Sequence, residues 1–369
     1  MADSRQPVSS ESISHLWQVD ALRAAAISMV LVYHCFRVPR TGYVSEAIVR
    51  VTGSLWCGVD LFFALSGFLI TTILIRTHDQ HGRYKNFIAR RSLRIFPLFY
   101  AWLAIFYICA PWIGVNDMHG MGLAAPWAWT YTFNWFIAKI GGYPADPVID
   151  HIWSLAVEEQ FYLVWPVLVF LCKPRWIGWL AGGGVLTAWG IKLAMWAGGS
   201  PWEVIHTQTY TRMDGLLAGG LVAWLRIYHW ESWVVRNALL WALVLSASGL
   251  LALGAWHGHL WPAEQTAVLA TLFYSVFFAA LLAFCVRGGA TMDRLRPLLD
   301  NDLVRWIAKL SYGIYLSHWI LWRWFAAAPD AWNSVWWQKG IAVVSLSVLV
   351  SFLLYRLLEV PFLRMKRFF

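Results

Sequence analysis

The chain has 369 residues, of which 59% are hydrophobic and only 13% are charged. An average soluble domain carries about 25% charged residues, so this composition excludes a disordered chain, a fibrous protein and an ordinary cytosolic enzyme. A mean hydropathy of +0.54 and 27 tryptophans are typical of a polytopic membrane protein with aromatic anchors at its boundaries. The net charge of +9 indicates basic cytoplasmic loops rather than a nucleic-acid surface.

The predicted membrane-spanning segments are apolar runs, each near the about 20 residues that a spanning helix needs. They cover residues 20–38, 54–75, 95–113, 152–171, 177–196, 207–225, 237–256, 266–286, 307–326 and 340–358. The aromatic stretch 124–138 is short and predicts an interfacial or re-entrant segment, although counting it would make eleven spans.

The distribution of Lys and Arg predicts the topology. If the N-terminus is cytoplasmic and the spans alternate, most of the cations outside the spans fall on the cytoplasmic side. About ten helices then leave both termini in the cytoplasm. No internal repeat and no appended soluble domain are evident. We therefore predict an all-α polytopic membrane protein in which residues 1–369 form a single membrane domain.

The cysteines show no CxxC pairing and lie mostly in or beside apolar runs, so we read them as small buried hydrophobic residues. They are Cys35, Cys57, Cys109, Cys172 and Cys285. Neither a disulfide framework nor a metal site is expected. We also predict no cleavable signal peptide, because the first apolar stretch contains Arg23 and lacks a convincing cleavage site.

Ionisable residues inside spans cost free energy and are therefore candidates for function. Arg23 and His34 are eleven residues apart, which places them on one helical face, about 16 Å apart along the axis. The plainer alternative is that Arg23 snorkels and His34 bonds a backbone carbonyl. In the second span, Asp60 is expected to pair with a cation on another helix, and Ser66 and Gly67 allow close helix packing.

A basic segment runs from Arg76 to Arg94. Arg91 and Arg94 are three residues apart and can face the same way. The segment fits cytoplasmic topology alone, but the planar guanidinium is also suited to phosphate oxygens. The residues by themselves leave both interpretations open.

Two further spans carry polar stripes, which must face protein or a water-filled cavity. In the fourth span the stripe shares one helical face and comprises His151, Ser154, Glu158 and Tyr162, with Glu159 beside it. In the ninth span, Ser311, Tyr315 and His318 share a face. A purely structural role for these stripes is the alternative. Arg212 and Asp214, in the sixth span, point differently, and each is expected to pair with another helix.

Together these stretches resemble the acyltransferase-3 family of integral membrane acyltransferases. The resemblance covers nearly the whole chain and is specific because the stretches occur in the family's order. They are the Arg23 and His34 pair, GVDLFFALSGFLI from Gly58, RRSLRIFPLFY from Arg90, HIWSLAVEEQFYLVWP from His151, RMDGLLAG from Arg212, SYGIYLSH from Ser311, and Glu359-Val360-Pro361. Many members carry a further hydrolase-like domain. Because no such domain is evident in this sequence, we expect it to be a stand-alone member.

The resemblance implies transfer of an acyl group, commonly acetyl, from cytoplasmic acyl-CoA to a hydroxyl of a carbohydrate or glycoconjugate, in a bacterial inner membrane. His34 matches the family histidine, and an imidazole suits removal of the hydroxyl proton because it titrates near neutral pH. It is expected to act as a general base or as a transient acyl carrier. The expected CoA-binding cations are Arg23, Arg90, Arg91 and Arg94. No metal is expected.

The remaining candidates are assigned less sharply. Glu158, Glu159 or Asp60 could orient the His34 imidazole or bind sugar hydroxyls, and we group Glu158 and Asp60 with His34 as the catalytic set. The expected substrate-binding residues are His151, Ser154, Glu159, Tyr162, Arg212, Asp214, Tyr315 and His318.

Other functions also fit the residues taken alone. Intramembrane Arg, Asp, Glu and His mark substrate paths in secondary transporters and flippases, although no inverted repeat supports that class. Two further alternatives are a membrane O-acyltransferase from a family unrelated to acyltransferase-3, and a non-catalytic scaffold for envelope assembly. We predict acyl-CoA, a glycan acceptor and membrane lipid as partners, and no nucleic acid.

Overall fold

The computed structural model describes residues 16–36, 43–112, 115, 117–144, 149–257, 265–327 and 336–368. Helices dominate this part of the chain, with short 3₁₀ turns and one π-helical turn between some of them. The α-helices are α1 (Trp17–Cys35), α2 (Tyr43–Gly53), α3 (Gly58–Arg76), α4 (Arg83–Cys109), α5 (Met118–Trp129), α6 (Phe133–Ile140), α7 (Trp153–Leu171), α8 (Ile177–Ala197), α9 (Trp202–Thr207), α10 (Thr209–Tyr228), α11 (Trp233–His257), α12 (Gln265–Arg287), α13 (Ala290–Leu299), α14 (Asp302–Ala327), α15 (Trp336–Leu354) and α16 (Val360–Arg364).

Each predicted span coincides with one long helix, namely α1, α3, α4, α7, α8, α10, α11, α12, α14 and α15. Positions 37, 38 and 113, at the ends of two predicted spans, lie outside the described residues. Seven helices in the described part are apolar and long enough to cross a membrane, which confirms an all-α polytopic membrane protein. The number of crossings and the side of the termini stay predictions.

The helices α1, α10 and α14 are not in that apolar set. They carry several of the polar and ionisable residues singled out in the sequence, among them His34, Arg212 and His318, and they lie inside the bundle. Twelve residues of α10 are buried, and α1 packs against both α3 and α14. Their polar faces therefore meet protein instead of lipid, as intramembrane polar residues require.

The stretch 124–138 does not form an additional span. It falls on α5 and α6, which have 12 and 8 residues, well short of the about 20 residues that cross a bilayer. The two helices are joined through Tyr131, a residue with a positive φ of 54°.

Close packing of α3 on α10 depends on glycine. A Cβ atom added at Gly67 would lie 1.7 Å from the carbonyl oxygen of Leu216, and one at Gly219 would lie 2.0 Å from that of Ala64. The two backbones therefore touch directly, which is a common way for membrane helices to associate. The expectation that Gly67 permits close helix approach is confirmed.

Two buried ion pairs bind the centre of the bundle. Arg212 on α10 donates to Asp60 on α3 at 2.7 Å, and Lys192 on α8 donates to Asp214 on α10 at 2.8 Å. Lys192 also donates to Thr271 on α12 at 3.0 Å. All four charged side chains are at most 2% exposed. The prediction that Arg212 and Asp214 pair with other helices is thus confirmed.

The cysteines form no disulfide in the described part of the chain. Cys35, Cys57 and Cys285 are buried, and Cys109 and Cys172 are partly buried. This agrees with their interpretation as small apolar residues.

Candidate active site

A cavity of about 400 Å³ lies at the end of α1 that carries His34. This volume is within the range of small-molecule sites, about 300–1,000 Å³. We call it the histidine cavity. Its polar lining includes Tyr33, His34, Tyr143, Asp150, His151, His206 and Tyr315, and its tryptophans are Trp56, Trp153, Trp202 and Trp319.

The imidazole of His34 is oriented by a second histidine. Its Nδ1 lies 3.0 Å from Nε2 of His318, and Nδ1 of His318 lies 3.1 Å from the carbonyl oxygen of Ile314. A carbonyl can only accept a hydrogen bond, so Nδ1 of His318 carries the hydrogen and its Nε2 is the acceptor. His34 must then donate from Nδ1, and its Nε2 carries the lone pair that a general base needs.

Further rings hold this pair of histidines in place. The His34 ring lies 4.8 Å from that of Trp319, and the His318 ring lies 5.4 Å from that of His151. His318 is 0% exposed, so its ring is fixed by packing. The elements α1, α14 and the 3₁₀ turn before α7 thus meet at one point.

A second, smaller cavity of about 80 Å³ lies toward the start of α1. We call it the arginine cavity. Its charged and phenolic lining comprises Arg23, Arg91, Arg94, Glu158, Glu159, Tyr162, Tyr312 and Tyr315. Three of the four arginines predicted to bind CoA therefore meet in one place. The fourth, Arg90, is exposed and is not among the described residues that line this cavity, so its contact with CoA stays a prediction.

Contacts within the arginine cavity fix its walls. The Arg91 guanidinium lies 4.6 Å from the ring centroid of Tyr162, a cation–π contact. Ser66 on α3 donates a hydrogen bond of 2.7 Å to Oε1 of Glu158 on α7. The polar stripe begins at His151 in the 3₁₀ turn before α7 and continues along α7. It runs along both cavities, with His151 at one and the remaining members at the other.

Tyr315 stands between the two cavities. It lines both of them, as does Val59. Its hydroxyl lies 2.6 Å from Oγ of Ser154 and donates to the carbonyl oxygen of His151 at 2.9 Å. Ser154 also contacts that carbonyl, at 3.1 Å, so the three oxygens form a hydrogen-bonded triangle in which the two hydroxyl hydrogens serve two of the three contacts at a time. In this conformation the triangle separates the arginines from His34.

Several predicted site residues take other positions. Asp60, Arg212 and Asp214 belong to the buried ion pairs and are not among the described residues that line either cavity. The geometry thus gives no support to a catalytic part for Asp60 or to substrate contacts by the other two. His318, expected to bind substrate, instead occupies the orienting position that the sequence analysis offered to Glu158, Glu159 or Asp60.

Sequence reasoning missed His206 and the tryptophans around the histidine cavity. His206 lies on the short helix α9, between predicted spans, where no helical stripe or motif singled it out. The tryptophans were attributed collectively to membrane boundaries. No set of three or more potential metal ligands is grouped within the described ranges.

Known proteins are similar to this chain over most of its length. A family model described as an acyltransferase domain matches residues 16–356. The peptidoglycan O-acetyltransferase OatA of Listeria monocytogenes is 26% identical over 377 residues, covering 93% of this chain and 55% of that protein. A Staphylococcus aureus protein named provisionally as an O-acetyltransferase is also 26% identical, with 93% and 56% covered.

A third relative, YrhL of Bacillus subtilis, is named provisionally as a peptidoglycan O-acetyltransferase and is 26% identical over 379 residues, with 93% of this chain and 54% of that protein covered. The chain therefore spans about half the length of these curated relatives. The search of solved structures found no significant match.

Proposed function

Because the chain belongs to the acyltransferase-3 family of integral membrane acyltransferases, we propose that it transfers an acetyl group from acetyl-CoA to a hydroxyl of a cell-envelope glycan. The observation that carries this proposal is the orientation of His34, whose Nδ1 is 3.0 Å from His318 and whose Nε2 holds the lone pair. The names of the relatives, which include a peptidoglycan O-acetyltransferase, support acetyl as the group and a glycan as the acceptor.

The arginine cavity is the proposed binding place for the donor. CoA carries several phosphate groups, and guanidinium groups bind phosphate oxygens through paired hydrogen bonds. Arg23, Arg91 and Arg94 supply three such groups around one space. The thioester would reach His34 by passing Tyr315, so the hydrogen-bonded triangle has to open during the reaction.

In the reaction that we propose, Nε2 of His34 removes the proton of the acceptor hydroxyl as its oxygen attacks the thioester carbonyl. The C–S bond then breaks, the new ester keeps the acetyl group, and the CoA sulfur leaves with the proton returned by His34. The hydrogen bond from Nδ1 of His34 to His318 keeps the ring in the tautomer that this sequence of steps needs.

Membrane orientation follows from the same proposal. The donor is cytoplasmic, so the arginine cavity and the N-terminal end of α1 would face the cytoplasm. The histidine cavity would then open toward the other face of a bacterial inner membrane, where an envelope glycan is accessible. The basic segment from Arg76 to Arg94 lies at the expected cytoplasmic end.

The experiment that tests the proposal measures thiol release from acetyl-CoA by the purified protein in detergent, with a panel of sugars and envelope extracts as acceptors. We expect release that needs both an acceptor and His34, and a loss of about 10²- to 10⁴-fold in His34→Ala. The exposed His81 provides the control variant His81→Ala, which should retain wild-type release. Near wild-type release from His34→Ala would refute the assignment.

A further inference from the structure

The histidine cavity contains an aromatic wall that the proposed chemistry at His34 does not use. The ring of His206 lies 5.2 Å from that of Trp56, 4.9 Å from that of Trp153 and 5.9 Å from that of Trp202. These tryptophans come from three elements, namely the 3₁₀ turn before α3, then α7 and α9. All four side chains line the cavity. We call this group the tryptophan wall.

Three ring nitrogens in this part of the cavity are buried, and the described part of the chain offers them no hydrogen-bond partner. Nδ1 of His206 and both ring nitrogens of His151 make no hydrogen bond to the described residues, although the two side chains are only 9% and 7% exposed. Leaving a buried donor or acceptor unpaired costs about 1–3 kcal/mol. A ligand that brings hydroxyl groups into the cavity would satisfy these nitrogens.

The tryptophan wall contacts one of the two buried ion pairs. The Arg212 guanidinium lies 5.8 Å from the centroid of Trp153, and Arg212 is itself fixed by its 2.7 Å contact with Asp60. The wall therefore stands on a rigid base, as binding sites require. This arrangement also connects the Arg212–Asp60 pair to the site, although neither member is among the described residues that line the cavity.

Together these features match the chemistry of a sugar ring. A pyranose has apolar C–H faces, which pack on aromatic rings, and hydroxyl edges, which both donate and accept hydrogen bonds. Ligand sites of this kind combine aromatic walls with a few converging polar groups. Of these two cavities, only the arginine cavity has arginines among its described lining residues, and phosphate chemistry belongs there.

We propose that the tryptophan wall, with His206 and His151, binds a neutral pyranose ring of the acceptor glycan and presents one of its hydroxyls to His34. The inference rests on the proposed function and identifies the acceptor subsite. Trp202 supplies an apolar ring face and His206 a hydroxyl partner. Neither residue takes part in proton transfer, so their substitution should weaken acceptor binding and leave donor binding unchanged.

The experiment measures binding of the N-acetylglucosamine tetramer, with a glucose tetramer as a second probe, by saturation-transfer NMR on the full chain in nanodiscs without acetyl-CoA. We expect wild type to bind at least one probe. Trp202→Ala and His206→Gln should bind it about tenfold more weakly, while Trp202→Phe should keep most of the affinity. Trp179, which is 72% exposed on α8, provides the control variant Trp179→Ala.

Unchanged thermal unfolding and acetyl-CoA binding will show that each variant is folded. The inference is overturned if wild type binds neither probe, or if folded Trp202→Ala and His206→Gln bind as wild type does. His34→Ala should bind the probe normally while releasing no thiol. Normal probe binding by a wild-type protein that transfers no acetyl group would refute the proposed function and leave the sugar subsite standing.

Discussion

His34 and His318 lie 284 positions apart in the chain, yet Nδ1 of the first is 3.0 Å from Nε2 of the second. Their rings are stacked, with centroids 5.1 Å apart and an interplanar angle of 29°. Because the Ile314 carbonyl sets the tautomer of His318, the basicity of Nε2 in His34 depends on one turn of α14. The orientation of the proposed base is therefore a property of two packed helices and not of α1 alone.

This relationship predicts the effect of removing the orienting ring. His318→Phe should lower kcat by about 10- to 100-fold, because His34 loses the acceptor that fixes its tautomer, while the KM for acetyl-CoA stays unchanged. His318→Gln should recover part of the loss, since its amide oxygen can accept from Nδ1 of His34. Steady-state kinetics at saturating acceptor will check both. Full kcat in folded His318→Phe would show that the ring has no positioning role.

The arginine cavity predicts a difference between two residues one turn apart on α4. Arg94 lines the cavity, whereas Arg90 is exposed. A hydrogen bond to a charged group contributes about 1.5–3 kcal/mol, so Arg94→Gln should raise the KM for acetyl-CoA by about tenfold or more. Arg90→Gln should change it little. Equal effects of the two substitutions would mean that the segment acts through its general charge.

Much of this arrangement follows from sequence periodicity. Hydropathy located the long helices, and the spacing of Ser154 and Glu158 put them on one face, since side chains on a helix recur every 3.6 residues. Periodicity does not show which helix faces pack against each other. His318 was seen as one member of a polar stripe, but its contact with His34 depends on the packing of α14 against α1.

The buried charges also show which features can be predicted from the sequence and which cannot. An unpaired charge inside a membrane bundle is too costly to persist, so partners for Arg212 and Asp214 could be predicted. The identity of those partners could not, because Lys192 and Asp60 come from helices whose order in space is set by glycine contacts and packing. No sequence pattern indicated His206, since it is a single histidine in the segment between two predicted spans.

The Lys192–Asp214 pair predicts a non-additive effect on stability. Lys192→Met should destabilise the protein by about 3–5 kcal/mol, because it leaves the Asp214 carboxylate buried without its cation. Combining it with Asp214→Asn removes the stranded charge and should restore a large part of the loss. The free energies of unfolding of Lys192→Met, Asp214→Asn and the double variant, measured in detergent, will show this. Simple addition of the two losses would show that the groups do not stabilise each other.

The proposed direct transfer predicts that acetyl-CoA alone leaves no acetyl group on the enzyme. After incubation with labelled acetyl-CoA and gentle denaturation, mass spectrometry should find His34 unmodified, because its Nε2 takes a proton and forms no bond to carbon. His34→Ala provides the background for non-specific labelling. A stoichiometric adduct on His34 would replace direct transfer by an acyl-enzyme route.

The contact between α3 and α10 predicts that adding one methyl group at Gly67 lowers the stability of the protein. In Gly67→Ala the new Cβ would lie 1.7 Å from the Leu216 carbonyl oxygen, so the helices must move apart, at a cost of about 1–3 kcal/mol. Gly182→Ala on α8 is the matched control, because no atom lies within 4 Å of the added Cβ.

Thermal unfolding in detergent should therefore show a lower Tm for Gly67→Ala and an unchanged or raised Tm for Gly182→Ala, since alanine favours a helix over glycine. Separation of α3 from α10 would also lengthen the Arg212–Asp60 contact, which is 2.7 Å in the folded protein. Adding Asp60→Asn to Gly67→Ala should then cost less than it costs in the wild type. Fully additive losses would mean that α3 absorbs the methyl group without moving from α10.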